Sequence, residues 1–267
     1  MRRRRLHWVV LLSAGLALYA TAAGAQQKTG DVNTGQDFTK PLTRGDLRLK
    51  HQQIENGEYH NTVATARTDI PFALGSGWQF ALRADLPYAW SDVPSADNPG
   101  GDDESGFTDT LVQGLLIAPA GARWTYGFGA QVILPTASED SMGTGKYQLL
   151  PTLGLKYDLG SWARGAWCAG LVRQAFDVAS RDDDRPYVNQ TYLQPILNLM
   201  LPRLWFLTFA PEARYDWRTE KWFVPFDLMV GKMVTANLVV SLEYKNAIVD
   251  DLPLFSQEVE ARIGFLF

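Results

Sequence analysis

The sequence predicts an all-β fold, an antiparallel transmembrane β-barrel of about twelve strands behind a cleaved N-terminal signal peptide. Three observations carry that expectation: strand-length runs of alternating apolar and polar residues, connections that alternate between short and long, and an export signal at the start. The last run shows the alternation most plainly. In SQEVEARIGFLF, Val259, Ala261, Ile263, Phe265 and Phe267 fall on one side and Glu258, Glu260 and Arg262 on the other, because successive strand side chains point to opposite faces. In a soluble sheet the apolar face would meet a core. In an outer-membrane barrel it meets lipid, and the charged face looks into the lumen.

The first element is the export signal. Arg2 to Arg5 precede an apolar stretch from Leu6 to about Ala20 and the small residues Ala23-Gly24-Ala25, the order of a secretory signal peptide. Residues 1–25 are therefore expected to be removed, with the mature chain beginning at Gln26. The apolar stretch is shorter than the ~20 residues that span a bilayer as a helix. The full chain has 25 basic and 29 acidic residues, net −4. Losing Arg2 to Arg5 and no acid leaves 21 against 29, net −8. So acidic a chain lacks the basic footprint that nucleic-acid binding requires. Cys168 is the only cysteine, so no internal disulfide can form, and it reads as a small apolar strand residue.

Polar residues 26–45 read as a periplasmic N-terminal arm, and residues 46–267 as one barrel without an internal linker. Strands are expected near 46–53, 62–71, 78–89, 107–118, 123–135, 148–159, 163–178, 187–199, 204–216, 222–230, 238–246 and 258–267, each long enough to cross a bilayer when tilted. The clearest is WQFALRADLPYAW: Trp78, Phe80, Leu82, Ala84, Leu86 and Tyr88 oppose Gln79, Arg83 and Asp85. RWTYGFGAQVILP repeats the arrangement from Trp124 to Leu134. Aromatic residues near the ends of these runs fit interfacial girdles. Between the strands, short LGSW, APAGAR and MLPRLW alternate with longer SDVPSADNPGGDDESG, TASEDSMGTGK, SRDDDRP and NAIVDDLPLFSQ. Short periplasmic turns and long external loops alternate in this way in outer-membrane barrels.

The polar face is where function would reside. Charges of opposite sign recur two residues apart, on one side of a strand: Arg67 and Asp69, Arg83 and Asp85, Lys156 and Asp158, Glu212 and Arg214, Glu243 and Lys245, Glu260 and Arg262. An Arg or Lys aimed at lipid costs about 2–4 kcal/mol at the midplane, so these residues are expected to line the lumen. They would either filter solutes along a watery passage or lock together and fill it. Gly127, Gly129, Gly154 and Gly264 favour a narrow passage by reducing crowding, although the N-terminal arm could enter and plug it.

No cofactor or metal site is predicted. Asp102-Asp103-Glu104 and Asp182-Asp183-Asp184 lack the spacing of a calcium loop and read as solvated loop charge. An enzyme is not expected. A lipid-modifying activity, the alternative alongside a closed structural or adhesive barrel, would need His51, expected in the first strand, or His60, expected in an external loop, with a hydroxyl such as that of Ser141.

The segment FGAQVILPTASEDSMGTGKYQLLPTLGLKYDLG ends a strand in Leu134-Pro135-Thr136, continues through a loop with Gly143 and Gly145, and carries Pro151 in the next strand. With NTGQDFTKPLTRGDLRL and the paired TARTDIPF and GWQFALRADLP, it resembles the bacterial outer-membrane barrel family labelled "putative MetA-pathway of phenol degradation". The resemblance implies a porin-like transporter in the outer membrane, concerned with small solutes such as hydrophobic or aromatic compounds. The partners expected are outer-membrane lipids and lipopolysaccharide, the solute, and the barrel-assembly machinery, which would read the C-terminal strand ending at Phe267.

Overall fold

The structure is a computed structural model that describes residues 33–160, 165–180 and 185–267. The signal peptide and the Asp182-Asp183-Asp184 cluster lie outside the described residues. Fourteen strand segments follow in order: β1 Arg44–Ile54, β2 Tyr59–Gly75, β3 Trp78–Ser91, β4 Glu104–Phe107, β5 Thr110–Pro119, β6 Trp124–Leu134, β7 Lys146–Asp158, β8 Trp167–Ser180, β9 Asn189–Leu201, β10 Trp205–Phe209, β11 Ala213–Asp216, β12 Lys221–Thr235, β13 Leu238–Asp250 and β14 Gln257–Leu266. Segments β4 and β5 both pair with β3, and β10 and β11 both pair with β9 and β12. Each couple is one interrupted strand, which gives twelve antiparallel strands. β14 closes on β1 from Arg44 opposite Leu266 to Gln53 opposite Gln257. Closure leaves no free edge.

The two breaks have local causes. β10 gives way to β11 at Ala210-Pro211-Glu212, where proline has no N–H to donate to the ladder. Between β4 and β5, the Asp109 carboxylate turns away to accept hydrogen bonds from the backbone N–H and hydroxyl of Thr144, both at 2.7 Å. This pins the 135–145 loop to the strand end.

Polarity is inverted relative to a soluble sheet. Leu153 is 59% exposed and its neighbour Thr152 6%; Leu242 is 57% exposed and Glu243 8%. The apolar residues form the outer wall and the charged ones the interior, which is stable only against lipid. Aromatic clusters mark the two ends of that wall. Trp78 meets Tyr126 and Phe128 edge-on, and Trp124 packs on Tyr157, at the turn end. Tyr88 with Trp90 and Phe107, and Tyr215 with Trp217 and Trp222, lie at the loop end.

The alternation of connection lengths is incomplete. Residues 76–77, 202–204 and 236–237 are tight turns, and 92–103 and 135–145 are long loops, but 55–58 and 217–220 are tight on the loop side. Asn56 and Glu220 supply positive φ there (59° and 56°), a conformation that lets so short a connection reverse the chain. His60 is therefore a residue of β2 rather than of an external loop. Above the barrel, Arg185 ties the long loops together, donating to Asp97 Oδ2 at 2.6 Å and to the carbonyl of Asp140.

Candidate functional site

The interior charges are matched by register. On β2 the order is Arg67 then Asp69, and on β3 Arg83 then Asp85; antiparallel pairing sets Arg67 opposite Asp85 and Asp69 opposite Arg83. Two strands with the same charge order thus complement each other when they run in opposite directions. Arg67 Nε donates to Asp85 at 2.6 Å, and Arg83 Nε to Asp69 at 2.6 Å. Asp69 also accepts from Arg44 Nε, one strand further on.

The network continues around the wall. Arg48 lies 3.1 Å from Glu260 and 3.8 Å from Asp46. Lys245 Nζ stands among three carboxylates, 2.8 Å from Glu258, 3.3 Å from Glu243 and 3.9 Å from Asp227. On the far wall the β10–β11 break turns Glu212 inward, where it accepts from Arg173 Nη2 at 2.7 Å and pairs with Arg214 at 2.9 Å. The Tyr192 ring lies between those two guanidiniums, 5.9 and 4.9 Å from its centroid. Ion pairs and ring contacts of this kind hold extended side chains in fixed positions along a wall.

These groups surround a cavity of about 370 Å³ inside the barrel. Of the residues singled out from sequence, Arg67, Asp69, Arg83, Glu212, Glu243, Lys245, Glu260 and Arg262 border it. Asp85 stands behind Arg67, and Arg214 behind Glu212. Lys156 and Asp158 lie at a separate small cavity nearer the turn end. The sequence reading passed over Arg44, Asp46, Arg48, Arg173 and Asp227. Asp46 and Arg48 have the same two-residue spacing as the recognised pairs; Asp227 sits alone in the apolar run VPFDLMVG and becomes meaningful only beside Lys245.

The segment expected to hang as a periplasmic arm enters the barrel over its described residues. Asp37 is buried against Lys156 and also accepts from the Thr39 backbone N–H at 3.0 Å. Arg44 donates to the carbonyl of Gly35. Gly127 and Gly154 do not widen an empty lumen: they make room for the Phe38 ring, which a Cβ at Gly154 would approach to 3.0 Å. Leu42 packs with Met200 against an inward apolar cluster of Phe206, Met229, Met233, Val239 and Leu266 at the turn end. At the loop end, Ile54, Phe223 and Phe255 form a second one. The polar cavity lies between them.

The histidines meet outside the cavity. His51 Nδ1 is 2.9 Å from Thr62 Oγ1, the His51 and His60 rings stack at 5.6 Å, and His60 Nδ1 is 3.5 Å from Asp92. A hydroxyl and an imidazole are thus adjacent, but the carboxylate orients His60, not His51. The His60 backbone N–H also donates to Asp92. Ser141 donates to Glu104 instead of to an imidazole.

Residues 55–169 match the sequence model of the family described as "Putative MetA-pathway of phenol degradation". No curated protein sequence matches the chain. Among solved structures, an outer-membrane channel from Pseudomonas putida F1 superposes with a TM-score of 0.70 at 12% identity, over 85% of this chain and 96% of that one. The KdgM porin follows with 0.58 at 12% identity, over 84% and 99%, and the NanC porin with 0.56 at 11%, over 84% and 98%. At such identities the likeness is one of fold. The chain is thus similar to the family described as "Putative MetA-pathway of phenol degradation" over residues 55–169, and it shares the closed-barrel fold of outer-membrane channels.

Proposed function

We propose that this protein is a porin-like channel through which small solutes cross the outer membrane passively, without catalysis. The observation that carries the proposal is the polar cavity of about 370 Å³ lined by fixed charges of both signs inside a closed twelve-strand barrel. Barrels of ~8 strands fill with side chains and those of ~16–18 enclose a wide aqueous pore; twelve strands suit a narrow, selective path. Residues 33–43 narrow it from the turn side, so that passage requires their displacement or a route beside them. The twelve charged residues named from sequence act in this proposal as the wall that sorts solutes by charge: eight at the main cavity directly, Asp85 and Arg214 by fixing their neighbours, and Lys156 and Asp158 at the smaller cavity nearer the turn end.

The compartment follows from the same reasoning. Signal-peptide cleavage before Gln26 delivers the chain to the periplasm, and the alternating strand ending at Phe267 presents it to the barrel-assembly machinery. Single-channel recording of the refolded mature chain in planar bilayers tests the channel. Discrete conductance steps are expected, and a folded barrel silent at every voltage would overturn the proposal.

A further inference from the structure

Two buried charge imbalances face the same cavity. Arg262 is 4% exposed, forms no ion pair within 4 Å among the described residues, and stands opposite Arg48 in the β1–β14 register. Like charges directly across a strand pair repel. Gln36, with its amide turned so that the carbonyl faces Arg262, accepts from Nη1 at 3.1 Å, but a neutral amide leaves the positive charge uncompensated. Among the described residues, the Nε atoms of Arg48 and Arg262 have no hydrogen-bond partner, and neither do Asp46 Oδ2 and Glu260 Oε1, which face Arg48 as ion-pair partners.

The second imbalance has the opposite sign. Around Lys245, the buried carboxylates of Asp227 and Glu243 share its ammonium with Glu258, which Lys50 also approaches at 4.0 Å, and Asp227 Oδ1 has no hydrogen-bond partner among the described residues. Buried charges are costly unless paired. Among the described residues, Arg262 has no anion partner and Asp227 and Glu243 have one cation between them; Arg48, Arg262, Asp227, Glu243 and Lys245 all border the one cavity.

We propose that the cavity is a binding subsite for a small zwitterionic solute, its carboxylate received by Arg262 and Arg48 and its ammonium by Asp227 and Glu243. A purely anionic solute would satisfy the arginines while facing the acidic cluster, and a cationic one would do the reverse. A molecule that carries both charges on a short chain completes both sites at once. The assignment rests on the channel reading above for its role in transport, but the site itself is a matter of binding.

The test uses the mature chain and a series of ω-amino acids from aminopropanoate to aminohexanoate, each with its matched carboxylate, amine and amide. Calorimetric titration into the detergent-solubilised barrel measures binding, and swelling of proteoliposomes measures passage. Tighter binding of at least one ω-amino acid than of its three analogues is expected, with a preference that Arg262→Gln and Asp227→Asn each reduce several-fold and Arg262→Lys largely keeps. Heat-modifiable migration on gels confirms that each variant is folded. Should Arg262→Gln fail to fold, Arg262→Lys with Asp227→Asn carries the comparison.

Equal binding of all four analogues, or a preference indifferent to both substitutions, would overturn the subsite. Binding of the amino acid without passage of any solute would uphold the subsite and overturn the channel. Passage ordered by size alone, without selective binding, would do the opposite.

Discussion

Phe38 illustrates how single residues set the state of the interior. Its ring lies against Gly127 and Gly154, and at Gly154 even a Cβ would press on it at 3.0 Å. Gly154→Val is expected to expel the ring and loosen residues 33–43, seen as faster limited proteolysis of that segment with the barrel's heat-modifiability unchanged; equal cleavage rates would refute it. Lys156 and Asp37 are both buried, 4% and 8% exposed at their side chains, and removing one partner of such a pair costs about 3–5 kcal/mol. Here the segment can leave instead of bearing that cost. Lys156→Ala should therefore expose the segment to protease without lowering the unfolding temperature of the barrel by a comparable amount. Gly231 lies under Phe206, whose ring a Cβ would overlap at 2.1 Å. Gly231→Leu is predicted to block refolding of the barrel, read as loss of the compact band on an unheated gel, because neither ring nor strand has room to shift.

Strands determine which charges meet. Arg67 with Asp85 and Arg83 with Asp69 are pairs of register, not of sequence neighbourhood. A double-mutant cycle on Arg67→Ala and Asp85→Ala should yield a coupling of about 0.5–3 kcal/mol in unfolding free energy, whereas Arg67→Ala with Asp69→Ala, which share no hydrogen bond, should couple less. Comparable values would show that the field is diffuse and the register unimportant. Interrupted strands add a second device. The proline break before β11 brings Glu212 to Arg173 and Arg214, a placement that an uninterrupted ladder would alter by changing which side chains face inward.

At the scale of the molecule, closure and obstruction are separate. Pairing of β14 with β1 closes the wall, while residues 33–43 occupy the space inside it. Deleting residues 33–43 from the mature chain should leave a folded barrel with higher single-channel conductance; unchanged conductance would mean that ions take a path the segment does not touch. The division matters for selectivity, since the acidic group around Lys245 and the arginines belong to the strands, although Arg44 and Arg262 give up their contacts with Gly35 and Gln36 when the segment leaves.

Strand alternation, twelve crossings, aromatic ends and an inward polar face were legible in the sequence because each depends on local periodicity and on the cost of exposing charge to lipid. Pairs such as Glu243 and Lys245 could be named for the same reason: a spacing of two puts both on one face. Tertiary structure alone decided which charges would be matched, that Asp227 joins Lys245, that Arg262 is left without an anion among the described residues, and that His60 belongs to a strand. It also turned Gly127 and Gly154 from signs of an open lumen into the seat of Phe38. These outcomes depend on register around a closed ring and on contacts between residues more than a hundred positions apart, such as Asp37 and Lys156. Periodicity assigns a side chain to a face, but only closure of the barrel determines what it meets there.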